Sequence, residues 1–190
     1  KIKGRGIKFV AGKISLNTAT RIRNTWNDVH NNSSNWWNIE AVRKRWNKLI
    51  TGNENLEYED YVAAKYLNDK KDIAILSVGC GEGDHEIAFS RNHNIASIRA
   101  IDIAEAPLLV ARQKAVELNL KHVIFENASF EKFVPKESFD VILFHSSLHH
   151  FKNIPEILAK TNNMLADKGL VIIHEYAGPD KFQFGKERKD

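Results

Sequence analysis

The stretch ILSVGCGEGDHE, residues 75–86, sets Gly79, Gly81 and Gly83 at alternate positions after an apolar run and follows them with Asp84, His85 and Glu86. Glycine costs about 0.5–1 kcal/mol inside regular structure relative to alanine. Three within five residues mark a place where the backbone turns tightly or lies close against something else. The residues before them, IAILSV (73–78), have strand composition, and a helical pattern opens after Gly83. The whole reads as strand, glycine turn, helix.

Outward from there the rhythm repeats. Short apolar runs rich in β-branched residues recur at SIRAID (97–102), HVIFE (122–126), VILFH (141–145) and LVIIHEY (170–176), with helical patterns at roughly 84–92, 105–119 and 153–166. Apolar strands alternating with helices predict an α/β fold with a doubly wound, mostly parallel sheet covered on both faces. The link 127–140 is short, with Phe130, Phe133 and Pro135, and has room for one irregular helix. Ligands of such sheets bind beyond the carboxyl ends of the strands, where the strand order reverses, so the candidate residues are those that follow each strand.

Residues 1–70 read as a basic arm and helical cap, and 71–190 as the core of what is one domain overall. Trp36, Ile39, Val42, Trp46 and Ile50 recur at three- and four-residue steps, an apolar stripe with Arg43, Lys44, Asn47 and Lys48 elsewhere around the helix. Tyr58, Tyr61, Val62, Lys65 and Tyr66 suggest a further helix, and Trp36, Trp37, Trp46, Tyr58 and Tyr61 either pack this cap on the sheet or line a pocket. Net charge is +4, but seven basic residues from Lys1 to Arg23 precede the first acid, Asp28, and the rest carries 21 basic against 24 acidic residues. The basic character belongs to the arm, which is either a solvated lead-in or a contact for nucleic acid or anionic lipid. No run approaches the roughly 20 apolar residues of a membrane span. The single Cys80 excludes an internal disulfide framework. A cytoplasmic placement is the expectation that follows.

Ile101 closes the second strand and is followed by Asp102, nineteen residues after Gly83. A carboxylate there can accept hydrogen bonds from both hydroxyls of an adenosine ribose. Two ligands share that geometry, a dinucleotide and S-adenosylmethionine. The dinucleotide fingerprint is G-x-G-x-x-G, whereas the order here is G-x-G-x-G, with Asp84 where the last glycine would stand. A carboxylate beside a pyrophosphate is repulsive, and beside an ammonium or sulfonium it is tolerable.

At these residues the chain resembles the class I S-adenosylmethionine-dependent methyltransferases, with a Rossmann-like fold. VGCGEG (78–83) is similar to their cofactor loop, Asp102 to their ribose acid, and FENA (125–128) sits at the adenine contact. FDVILFHSSLHHF (139–151) resembles their fourth strand and its exit, and MLADKGLVIIHEY (164–176) their last helix and fifth strand. WWNIEAVRKRWNKLITG (36–52) and EYAGPDKFQF (175–184) are similar to a bacterial small-molecule or glycan-pathway branch. The resemblance implies S-adenosylmethionine as cofactor, with Gly79, Cys80, Gly81, Gly83, Asp102, Ile103, Asn127, Ala128 and His145 as its contacts. Asn127 departs from the usual Asp, yet its amide oxygen still accepts from an adenine amino group. The family normally adds two further strands as a terminal hairpin, which is apparently missing here. Either the chain is a shortened form, or a partner, such as a second copy, finishes the sheet edge.

His145, His149 and His150 cluster after the fourth strand, and Glu175 ends the fifth. Histidine suits proton transfer near neutral pH, which makes His149, His150 and Glu175 the candidate catalytic groups. The four-residue step from His145 to His149 would suit zinc, but no third ligand suggests itself, and no metal is expected. HSSL (145–148) replaces the Asn/Asp-Pro-Pro-aromatic segment that enzymes methylating base amino groups resemble one another in, so a nucleic-acid acceptor is disfavoured and a small-molecule, sugar or glycan-linked acceptor preferred. Two other classes stay open: a non-catalytic binding module on the same fold, and a nicotinamide-dependent oxidoreductase.

Overall fold

The computed structural model describes residues 18–28 and 39–175. The basic residues before Thr18, Trp36 and Trp37, and the segment beyond Glu175 lie outside them, and with them the questions of the arm and the hairpin. Three helices come first: α1 (Thr18–Asp28), α2 (Glu40–Thr51) and α3 (Tyr58–Val62), the last running into a wider turn at Ala63–Leu67. Then follow β1 (Ile73–Val78), α4 (Asp84–Phe89), β2 (Ile95–Asp102), α5 (Glu105–Glu117), β3 (Val123–Asn127), β4 (Phe139–His145), α6 (Ile154–Met164) and β5 (Leu165–His174). The strands form one all-parallel sheet in the order β3-β2-β1-β4-β5.

The central strands are buried on both faces, successive residues turning to opposite cores. Ile75, Ile98, Val141 and Leu143 face a core completed by Tyr58, Val62 and Leu67, Phe89 of α4, and Leu108 and Ala111 of α5. Leu76, Val78, Ile142 and Phe144 face the opposite core with Phe130, Phe133 and Ile157 of α6. At about 1.5–3 kcal/mol per fully buried apolar side chain, these two layers fix which end of each strand is left open.

Three expectations are corrected. The stripe on α2 does not face the core: Trp46 is 37% exposed, and Ile39, Leu49 and Ile50 are exposed too, while Asn47 is 1% exposed. Asn47 turns inward, where its Nδ2 donates to the Glu54 carbonyl (3.4 Å). The link after β3 holds turns rather than a helix, because Phe130 and Phe133 anchor it directly in the core. Strand β5 begins at Leu165, opposite Phe139, rather than at 170, and the break in register before Leu170 falls between the expected helix end at 166 and the expected strand start.

Candidate functional site

The sheet order reverses between β1 and β4, where Val78 lies opposite Phe144, and the glycine loop leaves β1 into the crevice at that point. The three glycines do different things. A Cβ on Gly79 would stand 2.6 Å from the Ser147 Cβ, and one on Gly83 would stand 2.5 Å from Cζ of Phe125. At Gly81, with φ +55°, a Cβ would meet nothing within 4 Å. Two of the glycines therefore serve packing against the protein itself, and Gly81 borders open space. Ser147 also ties the β4 exit to the loop, its Oγ donating to the Val78 carbonyl (2.6 Å).

Asp102 stands across from Gly81. Its Oδ2 accepts from the Gly81 N–H (2.9 Å) and its Oδ1 from the Ala104 N–H (2.8 Å). Burial holds its carboxyl above the usual range against those two bonds. Half-buried rather than solvent-facing, Asp102 braces the loop, and each oxygen retains a second lone pair for a ligand hydroxyl. Asn127 donates from Nδ2 to the Asp102 carbonyl (3.1 Å), which also accepts from the Ala128 N–H (3.0 Å), so the amide oxygen of exposed Asn127 is the group left to accept. Cys80 donates its N–H to the Ile101 carbonyl, and burial pushes its thiol up. The backbone of Gly79, Cys80, Gly81, Gly83, Asp102, Ile103, Asn127 and Ala128 is thereby joined along one rim.

Asp84 does not face that crevice. Its Oδ1 accepts from Lys114 of α5 at 2.5 Å, and the lysine also reaches the Glu82 carbonyl (3.2 Å). Charge at Asp84 is neutralised by this pair, which removes most of its force as an argument against a dinucleotide.

The other side of the crevice is formed by the short turn Leu148–His150, by Glu175 and by α1. Glu175 Oε1 accepts from the Leu148 N–H (2.6 Å), and Oε2 pairs with His149 Nδ1 (2.9 Å). His150 lies 4.0 Å from His149, ring centre to ring centre, and meets the Trp26 edge at 6.1 Å. Burial, then the neighbouring His149, lowers the His150 pKa. Asn27 beside Trp26 accepts from the Ala106 N–H at the start of α5 (3.0 Å). Helix α1 thus reaches from the β2 side of the crevice to its β4 side.

His145 is drawn away from both groups. Its Nδ1 lies 2.9 Å from the Tyr58 hydroxyl, and its ring is stacked between His85 (3.4 Å) and His174 (4.4 Å). The stacked rings present edges to different neighbours, and among the described residues no three His, Cys, Asp or Glu side chains converge to hold a metal ion. Tyr58, Glu59, His85 and His174 escaped the sequence reading as a group. The one available signal was that His145 and His174 end adjacent strands.

The fold and rim define a doubly wound α/β protein with a ligand crevice at its switch point. Residues 69–187 match the family model described as "Methyltransferase domain", and the chain belongs to that family. It is 27% identical over 144 residues to the ubiquinone biosynthesis O-methyltransferase of Rickettsia bellii (strain OSU 85-389), covering 74% of this chain and 57% of the relative. It is 28% identical over 111 residues to the malonyl-[acyl-carrier protein] O-methyltransferase of Bacillus cereus, covering 58% and 40%. Among solved structures, the plantazolicin methyltransferase in complex with a triazolic desmethyl analog and SAH superposes with a TM-score of 0.57 at 23% identity, over 90% of this chain and 59% of that one. The chain spans about half the length of the curated relatives it matches. No helix among the described residues is long and apolar enough to cross a membrane.

Proposed function

We propose that the chain binds S-adenosylmethionine in the β1–β4 crevice and transfers its methyl group to a small-molecule acceptor. The observation that carries the reading is the open space at Gly81 directly beside the Asp102 carboxylate. The residues present fit the cofactor: Asp102 accepts from the ribose hydroxyls, the Asn127 amide oxygen and the Ala128 backbone flank the adenine, and Gly81 lets backbone lie against the ligand. S-adenosylmethionine supplies a methyl already activated on a sulfonium. What remains for the protein is to align the acceptor, exclude water and take a proton from acceptors that carry one.

The geometry favours His149 as that base. Glu175 holds the proton on Nδ1, which leaves the Nε2 lone pair to receive the acceptor proton as its oxygen or nitrogen is methylated. Glu175 acts through His149, and His150, with its lowered pKa, is the second candidate. Trp26 and His150 give the acceptor a partly aromatic mouth. An ionisable O–H or N–H on a small molecule suits this arrangement, and sugar and glycan hydroxyls fall within that set. Methyl transfer from labelled S-adenosylmethionine to a panel of phenols, sugars, amines and carboxylic acids tests it. Turnover that drops at least a hundredfold in His149→Gln supports the base; cofactor binding with no transfer to any class favours the non-catalytic module.

A further inference from the structure

We propose that Tyr58 and Glu59 of α3 are positioning residues of the methyl-transfer site, locking His145 and His85 into a stack that joins the helical cap to the crevice wall. The inference rests on the crevice being the cofactor site.

Three nearly parallel imidazoles stand in a pile: His85 on His145 at 3.4 Å and 20°, His145 on His174 at 4.4 Å and 7°. His145 ends β4, two residues before the Ser147 that packs on Gly79, and His85 lies in the first turn of α4, two residues after Gly83. The pile therefore stands against the loop that borders the crevice. Two residues of α3 hold it from the side. Tyr58 is 2% exposed, and its hydroxyl meets His145 Nδ1; Glu59 is 3% exposed, and its Oε1 meets His85 Nδ1 at 2.6 Å.

Among the described residues, charged or titratable groups reach the pile from three places. From α3 come Tyr58 and Glu59, from α4 Asp84 and Glu86, and beyond β5 Glu175. Glu86 is 2% exposed, one oxygen bonded to the Ser77 hydroxyl at 2.5 Å, and burial raises its pKa. Burial works to lower the His85 pKa, but the bond to Glu59 and the charge of Glu59, then those of Glu86 and Asp84, outweigh it and raise it. Burial and the adjacent His85 charge push His145 down to about 2 and lower His174 as well. Burial pushes the Tyr58 phenol up, so Tyr58 retains its proton and donates it to Nδ1 of neutral His145.

In the intact stack His145 stays neutral, while in a stack opened by withdrawal of α3 it accepts a proton at the ordinary histidine value of 6.5. Acid therefore favours the opened form, by up to about tenfold per pH unit below that value for each histidine released. A cofactor that needs the closed wall favours the closed form by the same linkage.

Hydrogen–deuterium exchange of the α3 amides, read as protection factors at pH 8 and pH 5.5 with and without S-adenosylhomocysteine, tests this on the wild type, Tyr58→Phe and His145→Asn. Wild-type α3 gains protection with the ligand and loses at least tenfold on acidification. Tyr58→Phe loses protection already at pH 8, and His145→Asn, which keeps an acceptor for Tyr58 and cannot be protonated, loses most of the acid sensitivity. Protection of α3 indifferent to ligand, indifferent to pH, or equally acid-sensitive in His145→Asn overturns the proposal. Calorimetry of the same wild-type sample at pH 8 separates the two levels: ligand heat with an indifferent α3 defeats only the coupling, and no heat defeats the cofactor reading with it.

Discussion

Adding one methyl group at each of two loop glycines separates fold from function. At Gly83, with φ +77°, an alanine Cβ would lie 2.5 Å from Phe125 Cζ and 3.0 Å from Ala111 Cβ, both of the buried core, so that the Phe125 ring must shift. The left-handed backbone costs an alanine about 1–2 kcal/mol. Forcing a methyl into a filled core adds about 1–3 kcal/mol. Gly83→Ala is thus expected to lose roughly 2–5 kcal/mol, a fall of about 4–20 °C in Tm for a chain of this length. At Gly81, with φ +55° and open space, only the backbone cost of about 1–2 kcal/mol applies, and the methyl group occupies volume the ligand needs. Gly81→Ala should fold with a modest loss and bind S-adenosylhomocysteine at least tenfold more weakly, and Gly81→Val should not bind measurably. Differential scanning fluorimetry and titration calorimetry on the three variants read both quantities. Wild-type affinity in folded Gly81→Val, or wild-type stability in Gly83→Ala, would refute the division of labour.

Three further outcomes are expected. Asp102→Ala should lose both affinity and stability, because the carboxylate anchors the Gly81 and Ala104 amides as well as a ribose; about 1.5–3 kcal/mol of binding is at stake, read by calorimetry, and unchanged affinity would reduce Asp102 to a loop brace. Stability should fall below pH 6.5: His145, held at about 2 when folded, binds its proton only on unfolding, so about 2 kcal/mol is lost between pH 6.5 and 5.0, whereas the contribution of His85, whose pKa is raised, is present below 6.5 and lost as the pH climbs past its folded value. Urea melts that show greater stability at pH 5.0 than at pH 6.5 would contradict that sign. Glu175→Gln should slow turnover about tenfold to a hundredfold and leave S-adenosylhomocysteine affinity unchanged, since Glu175 touches His149 and the Leu148 amide and not the Gly81–Asp102 rim; a matching loss of affinity would place it in the cofactor site instead.

The sheet and the pairing of the glycine loop with Asp102 were legible because both are written in local patterns. β-Branched runs of strand length, a glycine turn and an acid after β2 fall in a fixed order along the chain, and the structure sets Gly81 and Asp102 2.9 Å apart as that order requires. The α2 stripe misled because periodicity reports that a helix has an apolar face and says nothing of what the face meets: Asn47 is buried with its Nδ2 on the Glu54 carbonyl, while Trp46 and Ile50 remain at the surface. Asp84 misled for a related reason. Its position relative to Gly83 was readable, but its partner Lys114 is thirty residues away in sequence. The histidine stack is the extreme case, since Tyr58, His85, His145 and His174 come from four elements and only strand pairing and helix packing bring them together.

The central claim is that the crevice between β1 and β4 is built for S-adenosylmethionine, and titration calorimetry of S-adenosylhomocysteine and of NAD into the folded chain at pH 8 tests it most directly. One-site binding of S-adenosylhomocysteine, at least tenfold weaker in Asp102→Ala, with no heat from NAD, is the predicted result. Saturable binding of NAD while S-adenosylhomocysteine gives none would contradict it.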